Sequence, residues 1–221
     1  MTLEQFSFLV AVAGTVAYAV SAVLRVSDGQ VNLFGALVLG GITAVGGGTV
    51  RDIILDVPVF WSGDLLYIWL ALGASLVTFY AFSWFAQGPV RNLFLYIDGI
   101  ASALFAIEAT GRAWDMGFGL PVAPVILGVV TAIGGGLIRD TLMQHENLLI
   151  SRELYAIPIV LGSTLFAFIL AFAPEYRVVG SVACLSLIFG IRAAAIKWHI
   201  DVPDWAVMGL RQLGKRSIRE K

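Results

Sequence analysis

"AVGGGTVRD" (residues 44–52) returns 88 residues later as "AIGGGLIRD" (residues 132–140), each time inside an apolar stretch. Three consecutive glycines followed by an arginine and an aspartate are costly in such a setting, and their repetition decides how the rest of the chain is read. Hydrophobic residues make up 59% of the 221-residue chain and charged residues 13%, and the mean hydropathy is +0.89. A soluble domain of this length cannot hide that much apolar surface, so the sequence is that of an integral membrane protein. A hydrocarbon core of about 30 Å takes about 20 helical residues to cross. Seven apolar windows of that size occur, near residues 3–24, 31–54, 64–86, 91–111, 120–143, 153–173 and 177–197. The first carries Glu4 and no basic flank and is too long for a cleaved leader, so it reads as a retained span.

The same 88-residue offset that relates Arg51 to Arg139 relates Thr43 to Thr131, Asp52 to Asp140, Leu66–Tyr67 to Leu154–Tyr155, and Ser75 to Ser163. The repeating unit is therefore three spans. An odd number of crossings makes the second copy enter from the opposite face, which predicts an inverted 3+3 repeat with a seventh span added. The expected organisation is residues 1–88, residues 89–175, and a seventh span with a basic tail over 176–221. With alternating spans and a cytoplasmic C-terminus, Arg25, Arg91, Arg139, Arg152, Arg192, Lys197, Arg211, Lys215, Arg216, Arg219 and Lys221 lie inside. Only Arg51, Arg112 and Arg177 lie outside, so the positive-inside rule favours an outside N-terminus. The tail is either a topology determinant alone or also a contact for anionic lipid.

Each glycine costs about 1 kcal/mol relative to alanine within a helix, so a triplet invites unwinding. Unwound backbone at membrane depth needs protein or water as a partner, which predicts breaks at Gly46, Gly47 and Gly48 and at Gly134, Gly135 and Gly136, beside a polar pathway. The competing reading is close packing through small residues at four-residue spacing, as in "GGITAVGGG" (residues 40–48). Two triplets, each leading into Arg-Asp, favour the pathway. Arg51, Asp52, Arg139 and Asp140 then sit where an unpartnered charge is expensive, and serve either as pore or gate charges or as structural ion pairs. Side chains adjacent in a helix do not face one another, so partners on other spans are expected.

The fourth window adds Asp98 and Glu108, which point about 80° apart on one broad face. Acidic groups there suit a cation. Under the 88-residue offset their counterparts are Val10 and Val20, which makes the two halves chemically unequal; Glu108 could also be merely interfacial. Enzyme motifs do not compete. "GGGTVRD" lacks the lysine of a phosphate-binding loop, and His145 and His199 stand in polar flanks without metal-ligand spacing. The single cysteine, Cys184, is an apolar packing residue in the seventh window. No cofactor is expected.

The paired GGG-x-x-RD motifs, the three-plus-three-plus-one pattern and "DGIASALFAIEATG" (residues 98–111) resemble the prokaryotic branch of the trimeric intracellular cation (TRIC) channel family, formerly an uncharacterised or putative glycine-transporter family. The resemblance spans roughly residues 5 to 200. It implies a homotrimer with a potassium-permeable pore inside each protomer, lined by the first, second, fourth and fifth spans and broken at the two glycine triplets. Animal members bind lipid through a Lys-Glu pair; no Lys-Glu dipeptide occurs here, so that property does not carry over. Two functions remain: a channel passing potassium or sodium ions, and a secondary transporter of glycine or another small solute with its site at the same breaks. The channel is favoured, because the resemblance implies it and because no second set of coupling-ion ligands is visible. A non-conducting scaffold would leave the midplane charges unexplained.

Overall fold

The structure, a computed structural model, describes residues 3–26, 31–85, 90–151 and 153–202. Arg152, the side chain of Arg91 and the basic tail with Arg211, Lys215, Arg216, Arg219 and Lys221 lie outside the described residues. The fold is all-helical: α1 (Leu3–Arg25), α2 (Leu33–Ile54), a short α3 (Phe60–Gly63), α4 (Leu66–Phe85), α5 (Val90–Asp115), α6 (Val122–Leu142), α7 (Ala156–Phe172) and α8 (Arg177–Trp198). Five helices, α1, α2, α5, α6 and α8, are long and apolar enough to cross a membrane; α4 and α7 contribute shorter apolar stretches. Five of the seven windows expected from hydropathy thus coincide with helices of spanning length and composition among the described residues. α3, a single turn lying between two of the windows, has no counterpart in the sequence reading.

α1, α2, α5 and α6 pack against one another in the middle, with α4 against α1 and α2, α7 against α5 and α6, and α8 against α5 and α7. Two ends follow from the side-chain contacts. One, hereafter end A, holds the C-terminal turns of α2 and α5 and the start of α8; the other, end B, holds the C-terminal turns of α1 and α6 and the start of α5.

The triplets do not unwind. α2 and α6 are helical without interruption through Gly46–Gly48 and Gly134–Gly136, which corrects the expected breaks. The helical hydrogen bonds survive because the glycines do something else: they let the two backbones touch. A Cβ on Gly47 would collide with the carbonyl oxygen of Thr131, and one on Gly135 with the carbonyl oxygen of Thr43. One on Gly134 would lie 3.3 Å from the Cα of Gly47. Adding 88 to Gly47 and Thr43 gives Gly135 and Thr131, so the crossing maps onto itself, as a contact across a twofold axis does. Any side chain larger than hydrogen would force the helices apart, which is the close-packing use of small residues in membranes.

The two helices also finish alike. Asp56 (φ 53°) and Gln144 (φ 54°) are left-handed, and the amides of Val57 and His145 donate to the carbonyls of Asp52 and Asp140 at 3.0 Å in both cases, as at Schellman-type ends. Thr43 and Thr131 each donate to the carbonyl four residues back, Leu39 and Leu127, at 2.6 Å. Cys184 is fully buried in the apolar core beside Ile159 and Ile188.

Candidate functional site

Among the largest fully buried side chains are Arg51, Arg139 and Arg192, and Asp52, Asp98 and Asp140 are buried with them. An apolar environment admits such charges only in pairs with further hydrogen bonds. At end A the pairing runs as a chain: Arg112 lies 3.7 Å from Asp52, Asp52 accepts from Arg51 Nε at 2.9 Å, and Arg51 Nη1 donates to Glu108. The second oxygen of Asp52 accepts the amide of Phe60 at 2.8 Å, which fixes the start of α3, and the Phe60 ring lies 5.6 Å from the Arg51 guanidinium. α3 is therefore pinned to this chain of charges through its first residue.

End B repeats the arrangement. Arg25 lies 3.6 Å from Asp140, Asp140 accepts from Arg139 Nε at 2.8 Å, and Arg139 Nη1 donates to Asp98 at 2.8 Å and to Ser21 at 3.2 Å. The ring of Phe94 lies 4.9 Å from both guanidiniums, so two cations share one aromatic ring. Each chain holds two arginines and two carboxylates and is formally neutral, which is what burial of this depth demands.

Both Arg-Asp neighbours are in contact, contrary to the expectation that adjacent helical residues need separate partners. Both sit in the last turn of their helices, and the arginine side chain is long enough to curl back so that Nε reaches the next carboxylate while Nη1 reaches across to α5. The expected inter-helix partners exist as well, and both are carboxylates of α5. Asp98 is fully buried and Glu108 has a side-chain exposure of 10%, so both acids face the protein rather than its surroundings.

The counterparts Val10 and Val20 are corrected by this geometry. Arg25 and Arg112 occupy equivalent places in the two chains and are 87 residues apart, and Tyr18 packs on Phe105, again 87 apart, with ring centroids 5.4 Å from each other. One residue more separates α2 from α6. α1 and α5 thus match with an offset of 87, and the counterpart of Glu108 is Ser21, that of Asp98 is Ala11. Arg51 meets Glu108 where Arg139 meets Ser21; the acid missing at Ser21 is supplied instead by Asp98, ten residues earlier on α5. A search with a one-residue gap would have found Arg25 and Arg112. Phe94, Phe60 and Ser21 carry no signal in a single sequence.

Between the charge chains and the glycine crossing, Tyr18 donates its hydroxyl to the carbonyl of Ala132, just ahead of the second triplet. End B is less completely satisfied than end A. Asp98 Oδ2, Arg139 Nη2, Asp140 Oδ2 and the Tyr155 hydroxyl are buried without a hydrogen-bond partner, whereas no side-chain atom of Arg51, Asp52 or Glu108 is in that state. At end A a cavity of about 220 Å³ opens beside Glu108 and Arg112, with Glu4, Asp115 and Arg177 on its wall; Arg177 holds Asp115 through two hydrogen bonds of 2.5 and 2.6 Å. His145 is half-buried after α6 and His199 exposed after α8, and no group of three metal-ligating side chains occurs among the described residues.

The sequence model of the family described as "Glycine transporter" matches twice, over residues 8–83 and 95–171, one match on each half of the chain. The inner membrane protein YadS of Escherichia coli K12, a UPF0126 protein, is 32% identical over 197 residues, covering 89% of this chain and 94% of that protein. A UPF0126 membrane protein of Vibrio cholerae is 32% identical over 207 residues, covering 90% of this chain and 83% of its own. Among solved structures, the TRIC trimeric intracellular cation channel orthologue from Rhodobacter sphaeroides superposes with a TM-score of 0.80 at 32% identity, over 88% of this chain and 98% of that one. A structure described for conductance through TRIC cation channels gives 0.78 at 28% identity, over 95% and 100%. The double match of one family's sequence to the two halves, the self-mapping crossing of α2 and α6 and the superposition over nearly the whole fold agree: this chain belongs to the family of the UPF0126 membrane proteins and prokaryotic TRIC channels.

Proposed function

We propose that the protein is a monovalent-cation channel of the prokaryotic inner membrane, permeable to potassium, with one pathway inside each protomer of a homotrimer. Seven spans form it: α1, α2 and α4 as one unit, α5, α6 and α7 as its inverted copy, and α8 as the addition, with the N-terminus outside and end B cytoplasmic. The unit boundaries fall near residues 88 and 175. The observation that carries the reading is the pair of neutral arginine–carboxylate chains buried at opposite ends of the α2–α6 crossing. Ionisable groups at membrane depth are expensive and mark ion paths, and the proteins whose structures superpose on this one are cation channels. Gly46–Gly48 and Gly134–Gly136 place the crossing at the narrowest part of that path. Arg51, Asp52 and Glu108 gate it at end A, and Arg139, Asp140 and Asp98 gate it at end B; the acids offer a cation its counter-charge when an arginine swings away.

Liposomes containing only this protein decide between the channel and a carrier of glycine. Potassium efflux driven by its own gradient, with labelled glycine excluded, is the expected result. Saturable glycine uptake without potassium current would replace the channel by the transporter.

A further inference from the structure

Gly48 and Gly136 are repeat counterparts, 88 residues apart, yet they face different neighbours. The three atoms nearest to where a Cβ on Gly48 would stand all belong to the Phe60 ring, the first of them 2.6 Å away. At Gly136 the nearest are Arg139 Nη2 and the Tyr155 hydroxyl, both at 3.4 Å, an ordinary contact. Phe60 thus takes its seat from the missing side chain of Gly48. From that seat its ring lies 5.6 Å from the Arg51 guanidinium and meets the Tyr67 ring edge on at 4.8 Å, while Trp61 Nε1 donates to Thr49 at 2.9 Å.

The second half does not repeat this. The offset that matches Leu66–Tyr67 with Leu154–Tyr155 puts Leu148 at the place of Phe60, Leu149 at that of Trp61 and Leu137 at that of Thr49. Asp52 Oδ2 accepts the Phe60 amide, whereas Asp140 Oδ2 has no partner. Arg139 has an aromatic neighbour too, but it is Phe94, which belongs to the 26-residue span α5. The aromatic partner of Arg51 belongs to a helix of four residues, none of them buried. An isolated turn is marginally stable, and elements with little buried surface are the ones that open locally. Phe60 can leave its arginine by moving one turn of chain; Phe94 can leave only with a span.

We infer that Phe60 is the positioning residue of the end-A gate: seated on Gly48, it holds Arg51 against Glu108, and its withdrawal with α3 frees the arginine, so that end A opens more readily than end B. This rests on the channel reading above and adds to it the element that moves. The ring acts through Arg51 and touches no ion itself. Its hold is a cation–π contact and the packing of one ring against bare backbone, both lost together when α3 lifts.

The test is single-channel recording from the full-length protein in planar bilayers with potassium as the permeant cation, alongside thermal unfolding in detergent. Phe60→Ala removes the ring and keeps the amide on Asp52; Gly48→Ala puts a methyl where the ring sits. Each is expected to raise open probability about fivefold, the factor for losing a contact of cation–π strength. The double variant is expected to equal Phe60→Ala alone, because the methyl then meets no ring. Gly41→Ala, on the same helix with nothing within 4 Å of the new methyl, is expected to keep the parental open probability. Phe60→Leu, which keeps bulk and loses the aromatic face, is expected to act in the same direction and carries the test if either alanine variant fails to assemble. A lowered unfolding midpoint with parental open probability, or additive effects in the double variant, overturns the positioning role and leaves the channel intact. Parental protein that passes no potassium overturns the channel reading, and the gate falls with it.

Discussion

Asp98 and Glu108 are the two residues on which the charge balance of the buried clusters turns, and they are not equivalent. Asp98 contacts Arg139 where its own second oxygen and atoms of Arg139, Asp140 and Tyr155 are already short of partners, whereas Glu108 closes a chain that is otherwise satisfied and borders an open cavity. Removing one member of a buried ion pair costs about 3–5 kcal/mol, and water reaching the site lowers that cost. Asp98→Asn should therefore reduce potassium conductance more than Glu108→Gln, and lower the thermal unfolding midpoint more; equal, parental currents from both would remove α5 from the pathway. The one-residue shift in the repeat gives a sharper expectation. Arg139 already reaches the Ser21 hydroxyl at 3.2 Å, at the position matching Glu108. Asp98→Ala combined with Ser21→Glu should recover at least half of the unfolding temperature lost in Asp98→Ala alone, measured in detergent. No recovery would refute the equivalence of Ser21 and Glu108. That acids were needed opposite the arginines could be read from the sequence, because an isolated charge in a span is forbidden. Which arginine each acid serves could not, because it depends on a gap between α1 and α2 that no motif marks.

At the scale of the helix, the glycine triplets show where local propensity misleads. Glycine disfavours helix by about 1 kcal/mol per residue when nothing else is at stake, and that reasoning predicts unwinding. Here the loss is offset by contact between α2 and α6 that no other residue permits, so the helices stay whole. Gly47→Ala and Gly135→Ala should each destabilise the protein by about 1–3 kcal/mol, the usual range for overpacking against fixed backbone. Gly41→Ala, whose Cβ would meet nothing within 4 Å, should be neutral or stabilising by up to about 1 kcal/mol. Thermal unfolding of the three variants in one detergent checks the order; a Gly135→Ala protein as stable as Gly41→Ala would mean that the crossing is looser than described. The four-residue spacing of small residues was visible in the sequence as one of two readings. What decided between them was the partner helix, which lies 88 residues away and so outside any local window.

For the whole molecule, composition alone was enough to place the chain in a membrane, since it sums over many residues, and the 88-residue repeat was enough to match Gly47 and Thr43 with Gly135 and Thr131. Assembly is a different matter: an exposed apolar helix face suits lipid and another protomer alike, and a single sequence does not tell the two apart. Cross-linking in mild detergent is expected to stop at three protomers, and a ladder ending at two would remove the trimer. The placement of both terminal acids on α5 has a consequence for the history of the fold. The first half, with Arg51 and Asp52 but neither Asp98 nor Glu108, cannot balance its own buried charge; the second half contains the counter-ions for both arginines. Two copies of the first half would leave each end with one arginine in excess, and two copies of the second would leave each end with one carboxylate in excess. The two halves are thus no longer interchangeable, and each supplies the charge that the other lacks.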